Sequence, residues 1–215
     1  MIQIHAEAAQ VQDRLTQLGL EQEPIADIVR RGYLAFASCT PNHPPMFPGL
    51  SSWATMVVGL REYLLPEWSR CDDNNYPLVV NAEGTVAIAV ATGDEATGVA
   101  DATPTTKSVK GPSTVEAVIS NQVQLELPLD LPMVEAPGSP IDIEKRITWI
   151  LLVHRSLSEV RFELSLPTSM NAEGRVDGWR ERIILGAIPL DPVVLDITTP
   201  QSPLPDIDVE VKRRA

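Results

Sequence analysis

The chain is poor in the residues that most often announce a function. It has two cysteines, Cys39 and Cys71, in 215 residues. They form no Cys-x-x-Cys, and the three histidines, His5, His43 and His154, lie far apart, so no zinc-binding spacing is present. This reads as a protein of a reducing compartment with buried free thiols rather than a disulfide scaffold. Gly-x-Ser-x-Gly nucleophile elbows are absent, and so is a phosphate-binding glycine loop. Gly93 and Gly98 have the spacing of the latter's glycines, but Val99 and Ala100 stand where Lys and Ser/Thr are needed. No apolar run approaches the ~20 residues that span a bilayer, and the N-terminus, Met1-Ile2-Gln3-Ile4-His5, has neither a basic start nor an apolar stretch. The expectation is a cytoplasmic protein with no membrane contact.

Basic residues are scarce as well. Lys and Arg number 17 against 29 Asp and Glu, giving a formal charge of −12. The acids are scattered and form no stripe that would mimic a phosphate backbone. A field of this sign repels nucleic acid, so direct binding to it is not expected. A local basic patch has only Arg180, Arg182, Lys212, Arg213 and Arg214 to draw on, the last three in a solvated tail. Aromatics are 5% of the chain, so the core must be built of Val, Ile, Leu and Ala. The four tryptophans, Trp53, Trp68, Trp149 and Trp179, read as core or interface anchors.

What is present is a 44% apolar composition and nineteen prolines against twelve glycines. The first supports a sizeable core; the second predicts rigid, extended connections. The length fits one compact domain. Its period changes along the chain. Ala8, Val11, Leu15 and Leu18 recur at helical spacing, with Gly19 as a stop. Pro24 opens a second helix carrying Ile25, Ile28 and Val29, with Gly32 as a further stop. Four prolines between Thr40 and Gly49 forbid a helix or a central strand there and give an ordered, extended loop. A third helix follows from about Ser51 to Leu65, with Trp53, Met56, Val57, Leu60 and Leu64 on one side.

From Tyr76 onward the pattern is β. Tyr76–Val80 and Thr85–Thr92 flank the turn Asn81-Ala82-Glu83-Gly84 and predict a hairpin whose second strand, having no polar face, is buried on both sides. Residues 146–154 and 159–166 predict a second hairpin. In it Val160, Phe162, Leu164 and Leu166 alternate with Arg161, Glu163 and Ser165, as in a half-buried strand. A second Asn-Ala-Glu-Gly at 171–174 reads as the same turn reused, while 177–188 is ambiguous between helix and strand. Residues 189–205 form a Pro-rich surface arm, and 206–211 alternate like an edge strand. The fold class is therefore α+β: a helical part, residues 1–70, followed by a mainly antiparallel sheet built from hairpins over 76–215.

Two segments carry candidate chemistry. Residues 93–112 are rich in Gly, Asp, Thr, Ser, Lys and Pro and follow a buried strand. Such long irregular stretches are often functional. If the chain is an enzyme, Asp94, Glu95 and Lys107 are the residues to test; with Asp101 the acids are hard oxygen donors suited to Mg²⁺ or Ca²⁺. The acid-then-Glu-x-Lys pattern of a metal nuclease is incomplete, and a polar loop with turn glycines is the favoured explanation of the composition. No cofactor is implied. His43 in the Pro-rich loop has no nucleophile to pair with. Ser113-Thr114-Val115-Glu116 resembles a capping box for a short helix to about Asn121, followed by a flexible arm over 122–142.

That arm contains Gln124-Leu125-Glu126-Leu127-Pro128-Leu129. It resembles the Gln-Leu-x-Leu-x-Leu form of the peptide by which bacterial DNA-metabolism proteins dock on the DNA sliding clamp. Leu127-Pro128-Leu129-Asp130-Leu131-Pro132 further resembles the form in a regulator that inactivates the replication initiator. The resemblance implies that Gln124 exchanges amide hydrogen bonds at a pocket rim while Leu125, Leu127 and Leu129 fill apolar subsites. It further implies a non-enzymatic adaptor, suited to a mobile-element or genome-defence setting, whose body binds an unknown second protein. An amphipathic edge strand gives the same alternation. A subunit of a stable complex, wrapping a partner with its Pro-rich arms, is the remaining alternative.

Overall fold

A computed structural model describes residues 2–126 and 146–190 of the chain. The elements run β1 (Gln3–His5), α1 (Ala8–Gln17), α2 (Gln22–Ala37), α3 (Phe47–Leu64), β2 (Trp68–Cys71), β3 (Leu78–Asn81), β4 (Val86–Thr92), α4 (Pro112–Glu126), β5 (Ile147–Arg155), β6 (Glu159–Met170) and β7 (Val176–Pro189). The strands form one seven-stranded sheet in the order β1-β7-β6-β5-β4-β3-β2. Four neighbouring pairs are antiparallel; β1 with β7 and β4 with β5 are parallel. The fold is α+β, with the N-terminal helices and the hairpins that the sequence pattern predicts.

The main core lies between the sheet and α1–α3. Leu15, Ile25, Ile28, Leu60, Trp149, Leu151, Phe162, Leu164 and Ile183 meet there, each at most 2% exposed. On the opposite face, α4 and the stretch 93–111 cover a second cluster of Ala91, Val118, Ile150, Leu152, Val176 and Trp179. β4 is thus covered on both sides: Ile88 faces the helices, and Ala87 and Ala89 pack with Leu78 and Val80 on the other face. The two Asn-Ala-Glu-Gly segments are the same turn. In each the glycine N–H bonds the asparagine carbonyl at 3.0 Å, and the glycine φ is +70° at Gly84 and +76° at Gly174. A left-handed position at the end of such a turn favours glycine.

Several sequence expectations need correction. Gly32 does not end α2, which continues to Ala37. It is a contact residue: a Cβ there would meet Met56 Cγ at 2.5 Å and Ser52 O at 3.2 Å. Gly59 returns the favour, a Cβ there coming within 3.1 Å of Ile28. The two glycines let α2 and α3 pack closely. α3 starts at Phe47, earlier than Ser51, because Pro48 occupies the first helical turn, where its missing N–H costs nothing. Residues 176–189 are strand throughout. α4 runs to Glu126, so residues 122–126 are helix and not arm. Both cysteines are free, and both are half-buried, not buried. The Pro-rich arm, from residue 191 on, and the edge strand at 206–211 lie outside the described residues.

Candidate functional site

The stretch after β4 is built by its own polar groups. Gly93 is tight against the sheet: a Cβ there would lie 2.7 Å from Leu152 Cγ and 2.1 Å from Thr97 Oγ1. The Asp94 carboxylate then closes the loop on itself. Oδ1 accepts the Ala96 N–H at 3.1 Å; Oδ2 accepts the Thr105 N–H at 3.0 Å and the Thr105 hydroxyl at 2.8 Å. Three donors on one carboxylate describe a turn brace, the Asx pattern by which aspartate organises loops. Glu95 is exposed, and its carbonyl accepts from Arg161 Nη2 at 2.7 Å. Lys107 is exposed, with its N–H on Thr92 O at 2.9 Å. Of the three, Asp94 is engaged within the loop, while Glu95 and Lys107 keep exposed side chains.

Beneath the loop lies an ion pair that the sequence pattern missed. Glu163 and Arg182, 0% and 1% exposed, meet across β6 and β7. Arg182 Nη2 reaches Glu163 Oε2 at 2.6 Å and its Nε reaches Oε1 at 2.9 Å. Both carboxylate oxygens and all three guanidinium nitrogens find partners. Gly98 N–H and Ser165 Oγ each donate to the carboxylate at 2.7 Å; the guanidinium donates to Ala102 O at 2.5 Å and Val99 O at 3.1 Å. Two charges can stay in a dry interior only with such complete pairing. Arg182 is therefore no part of a basic surface patch, and the polar side of β6 is buried, because the 93–111 loop lies over it.

The segment 124–129 begins on α4. Asn121, fully buried, pins that helix to the sheet: its amide donates to Thr148 O at 2.9 Å and Pro167 O at 3.0 Å and accepts the Thr148 N–H at 2.8 Å. Gln124 stands one turn later. Its amide donates to Arg146 O at 3.2 Å and Ser120 Oγ at 3.4 Å. Leu125 belongs to the same last turn; Leu127 and Leu129 lie outside the described residues.

A further feature is the outward side of α3. Its inward side is Met56, Gly59, Leu60 and Leu64. Half a turn away lie Phe47, Leu50, Ala54 and Val58, then Arg61, and Leu65 just beyond the helix. Leu50, Val58 and Leu65 are each more than half exposed, and Phe47 is 39% exposed. From Phe47 to Leu60 the helix has no ionisable residue. Its polar side chains over that stretch are the hydroxyls of Ser51, Ser52 and Thr55.

Several other titratable groups make contacts within the fold. His43 accepts the Thr40 N–H at 3.0 Å and stacks on Phe47 with ring centroids 5.0 Å apart, bracketing the start of α3. Glu181 receives Arg14 Nε at 2.5 Å and Nη2 at 2.9 Å and pairs with His5 at 2.9 Å, tying α1 and β1 to β7. Tyr76 is half-buried, and desolvation of its hydroxyl pushes its pKa up to about 12, opposed by a hydrogen bond to Thr114. Burial lowers the pKa of Lys110. Among the described residues no group of three His, Cys, Asp or Glu side chains is placed to hold a metal ion, and no helix is long and apolar enough to cross a membrane. A shallow hollow at the α1–α2 corner is wide open and has only Glu21 and Glu23 as ionisable lining. No family model matches the chain, and neither a characterised protein nor a solved structure matches it, so what it does has to be argued from these surfaces alone.

Proposed function

We propose that this chain is a non-enzymatic adaptor of bacterial DNA metabolism that docks on the DNA sliding clamp through residues 124–129. The observation that carries the reading is the sequence Gln124-Leu125-Glu126-Leu127-Pro128-Leu129 at the point where α4 ends. Support comes from the 93–111 loop, where the Asp94 carboxylate is spent on bracing the loop itself. Docking in an extended form requires the last turn of α4 to open. Gln124 would exchange its bonds to Arg146 and Ser120 for bonds at the pocket rim. Opening one terminal turn gives up a few hydrogen bonds of ~0.5–1.5 kcal/mol net each, and helix ends fray at low cost. Three leucines entering apolar subsites return roughly 1.5–3 kcal/mol each before ordering costs. The balance fits binding at about the micromolar level, about −8 kcal/mol.

The test is titration of the full chain against a purified bacterial clamp. Leu127→Ala/Leu129→Ala should weaken binding by at least about 100-fold, from ~1.5 kcal/mol or more per leucine. Gln124→Ala should weaken it less, because the wild-type amide must first leave Arg146. Absence of wild-type binding at about 100 µM, roughly −5.5 kcal/mol, would sink this reading.

A second reading, the subunit of a stable protein complex, is favoured by one specific observation: the exposed apolar side of α3.

A further inference from the structure

We infer that the last turn of α4 is an autoinhibitory latch: the Gln124 side chain that docking needs is held on the edge of β5, and the chain is closed to the clamp until that turn opens. The inference deepens the clamp-docking reading and rests on it.

The latch follows from where β6 leaves β5. Ile147 N–H bonds Thr85 O at 2.8 Å, and Val153 O accepts the Gly93 N–H at 2.9 Å, both on the β4 side of β5. Backbone groups of a strand point alternately to its two edges, so those of Arg146, Thr148 and Ile150 point toward the β6 side. β6 meets only part of that row. Its pairing with β5 starts at Ile150 with Ser165. Beyond Ser165, the register of β6 against β7 shifts between Leu166 and Pro167, and Pro167 has no N–H to offer a neighbouring strand. Ahead of Ile150 the place of β6 is taken by α4.

Two amide side chains of α4 do this, three residues apart and so on one helix face. Asn121 donates to Thr148 O at 2.9 Å, accepts the Thr148 N–H at 2.8 Å, and also holds Pro167 O at 3.0 Å. Gln124 donates to Arg146 O at 3.2 Å, with Ser120 Oγ at 3.4 Å behind it. Asn121 is the inner pin: it is fully buried and bonded three times. Gln124 is the outer one, half-buried on the last turn.

The same amide therefore answers to two partners. In the closed turn it satisfies a strand carbonyl; at a pocket rim it cannot. Residues two apart do not share a helix face, so a helical last turn cannot present an alternate-residue docking pattern either. The closed and docked states exclude one another. When the binding-competent state is a fraction of the whole, the apparent dissociation constant rises by the inverse of that fraction. A few hydrogen bonds closing the turn put that fraction on the order of one in ten to one in a hundred.

The experiment is titration of the full chain with purified clamp, wild type beside Ser120→Gly/Gln122→Gly. The two glycines loosen the last turn and leave every residue of 124–129 in place. The glycine variant should bind about 5-fold tighter, with the gain in the association rate. Amide hydrogen exchange of the free chains is the structural control. Amides 124–126 should exchange about 5-fold faster in the variant, while the Thr148 N–H, held by Asn121, stays as slow as in the wild type. If Thr148 speeds up too, Gln122→Gly alone replaces the double variant. Gln124→Ala should cost more affinity in the glycine background than in the wild type, because only in the wild type does removing the amide also release a closed latch. Equal affinity of wild type and glycine variant, with faster exchange at 124–126, overturns the latch and leaves docking in place. Failure of both chains to bind at about 100 µM sinks the docking reading, and the latch with it.

Discussion

The two faces of the sheet are covered by different physics. On the helix side, β5 and β6 present Trp149, Leu151, Phe162 and Leu164 to α1–α3, and burial of apolar surface does the stabilising. On the other side the same strands present Thr148, Glu163 and Ser165, all at most 3% exposed, to α4 and the 93–111 loop. There directed bonds are added to the apolar cluster around Ile150, Leu152 and Trp179: Glu163 to Arg182, Gly98 and Ser165, and Asn121 to Thr148. A non-directional core tolerates substitution of similar volume. A buried polar one has to be complete, because every unpaired group in it costs its full desolvation.

The largest effects should come from breaking one member on either side. Phe162→Ala should cost about 3–5 kcal/mol through a cavity. Glu163→Ala should cost a similar amount, about 3–5 kcal/mol, by leaving the Arg182 guanidinium buried without its counter-charge. Urea unfolding of the two variants checks both. The double change Glu163→Met/Arg182→Leu separates the mechanisms: with both charges gone it should recover at least half of the single-variant loss. A double variant as unstable as Glu163→Ala would show that the pair's value lies in the loop carbonyls and N–H groups it organises.

That contrast also explains what the sequence made legible. The alternation Val160, Phe162, Leu164, Leu166 identifies strand and inward face correctly, because period-2 burial is a local signal. The same alternation misplaces Glu163 and Ser165 in solvent. Whether a polar face is wet depends on what lies over it, and here the cover is a loop more than 60 residues away in the chain. Gly32 is misplaced as a helix stop for a related reason: a stop and a close approach both select glycine, and only Met56 on another helix decides. Among the candidate sites, Asp94 draws attention as a carboxylate after a buried strand, yet its role is set by Thr105, eleven residues on. The outward line on α3 was in plain view as Phe47, Leu50, Ala54 and Val58. It is masked in a pattern search because an apolar opposite face removes the periodicity that such searches read.

Asp94→Ala sharpens the comparison at intermediate size. Removing three accepted hydrogen bonds at the loop's entry, from a half-buried carboxylate, should cost about 2 kcal/mol. Asp94→Asn keeps two acceptor positions' worth of geometry on one oxygen and should cost less. If the loop only brace-folds itself, hydrogen exchange should speed up in 94–106 while β5 and β6 keep their protection. Loss of protection in β6 as well would show that the loop and the Glu163–Arg182 pair unfold as one unit.

The smallest effect at neutral pH, and the one with a distinctive signature, belongs to Tyr76. Its folded pKa, about 12, stands above the ordinary value of 10.0 because burial of the hydroxyl disfavours the phenolate. The folded state therefore holds a proton that the unfolded state releases first. Stability from this source is full below pH 10 and is lost as the pH rises from about 10 to 12, by roughly 2–3 kcal/mol in all. Tyr76→Phe cannot ionise. At pH 7 it should lose only the hydrogen bond to Thr114, about 1 kcal/mol or less. Between pH 10 and 12 its urea midpoint should fall less steeply than that of the wild type, so the two curves converge or cross. Parallel curves would mean that the hydroxyl is hydrated in the folded protein, and that the side of the sheet next to α4 is wetter at this edge than beneath the loop.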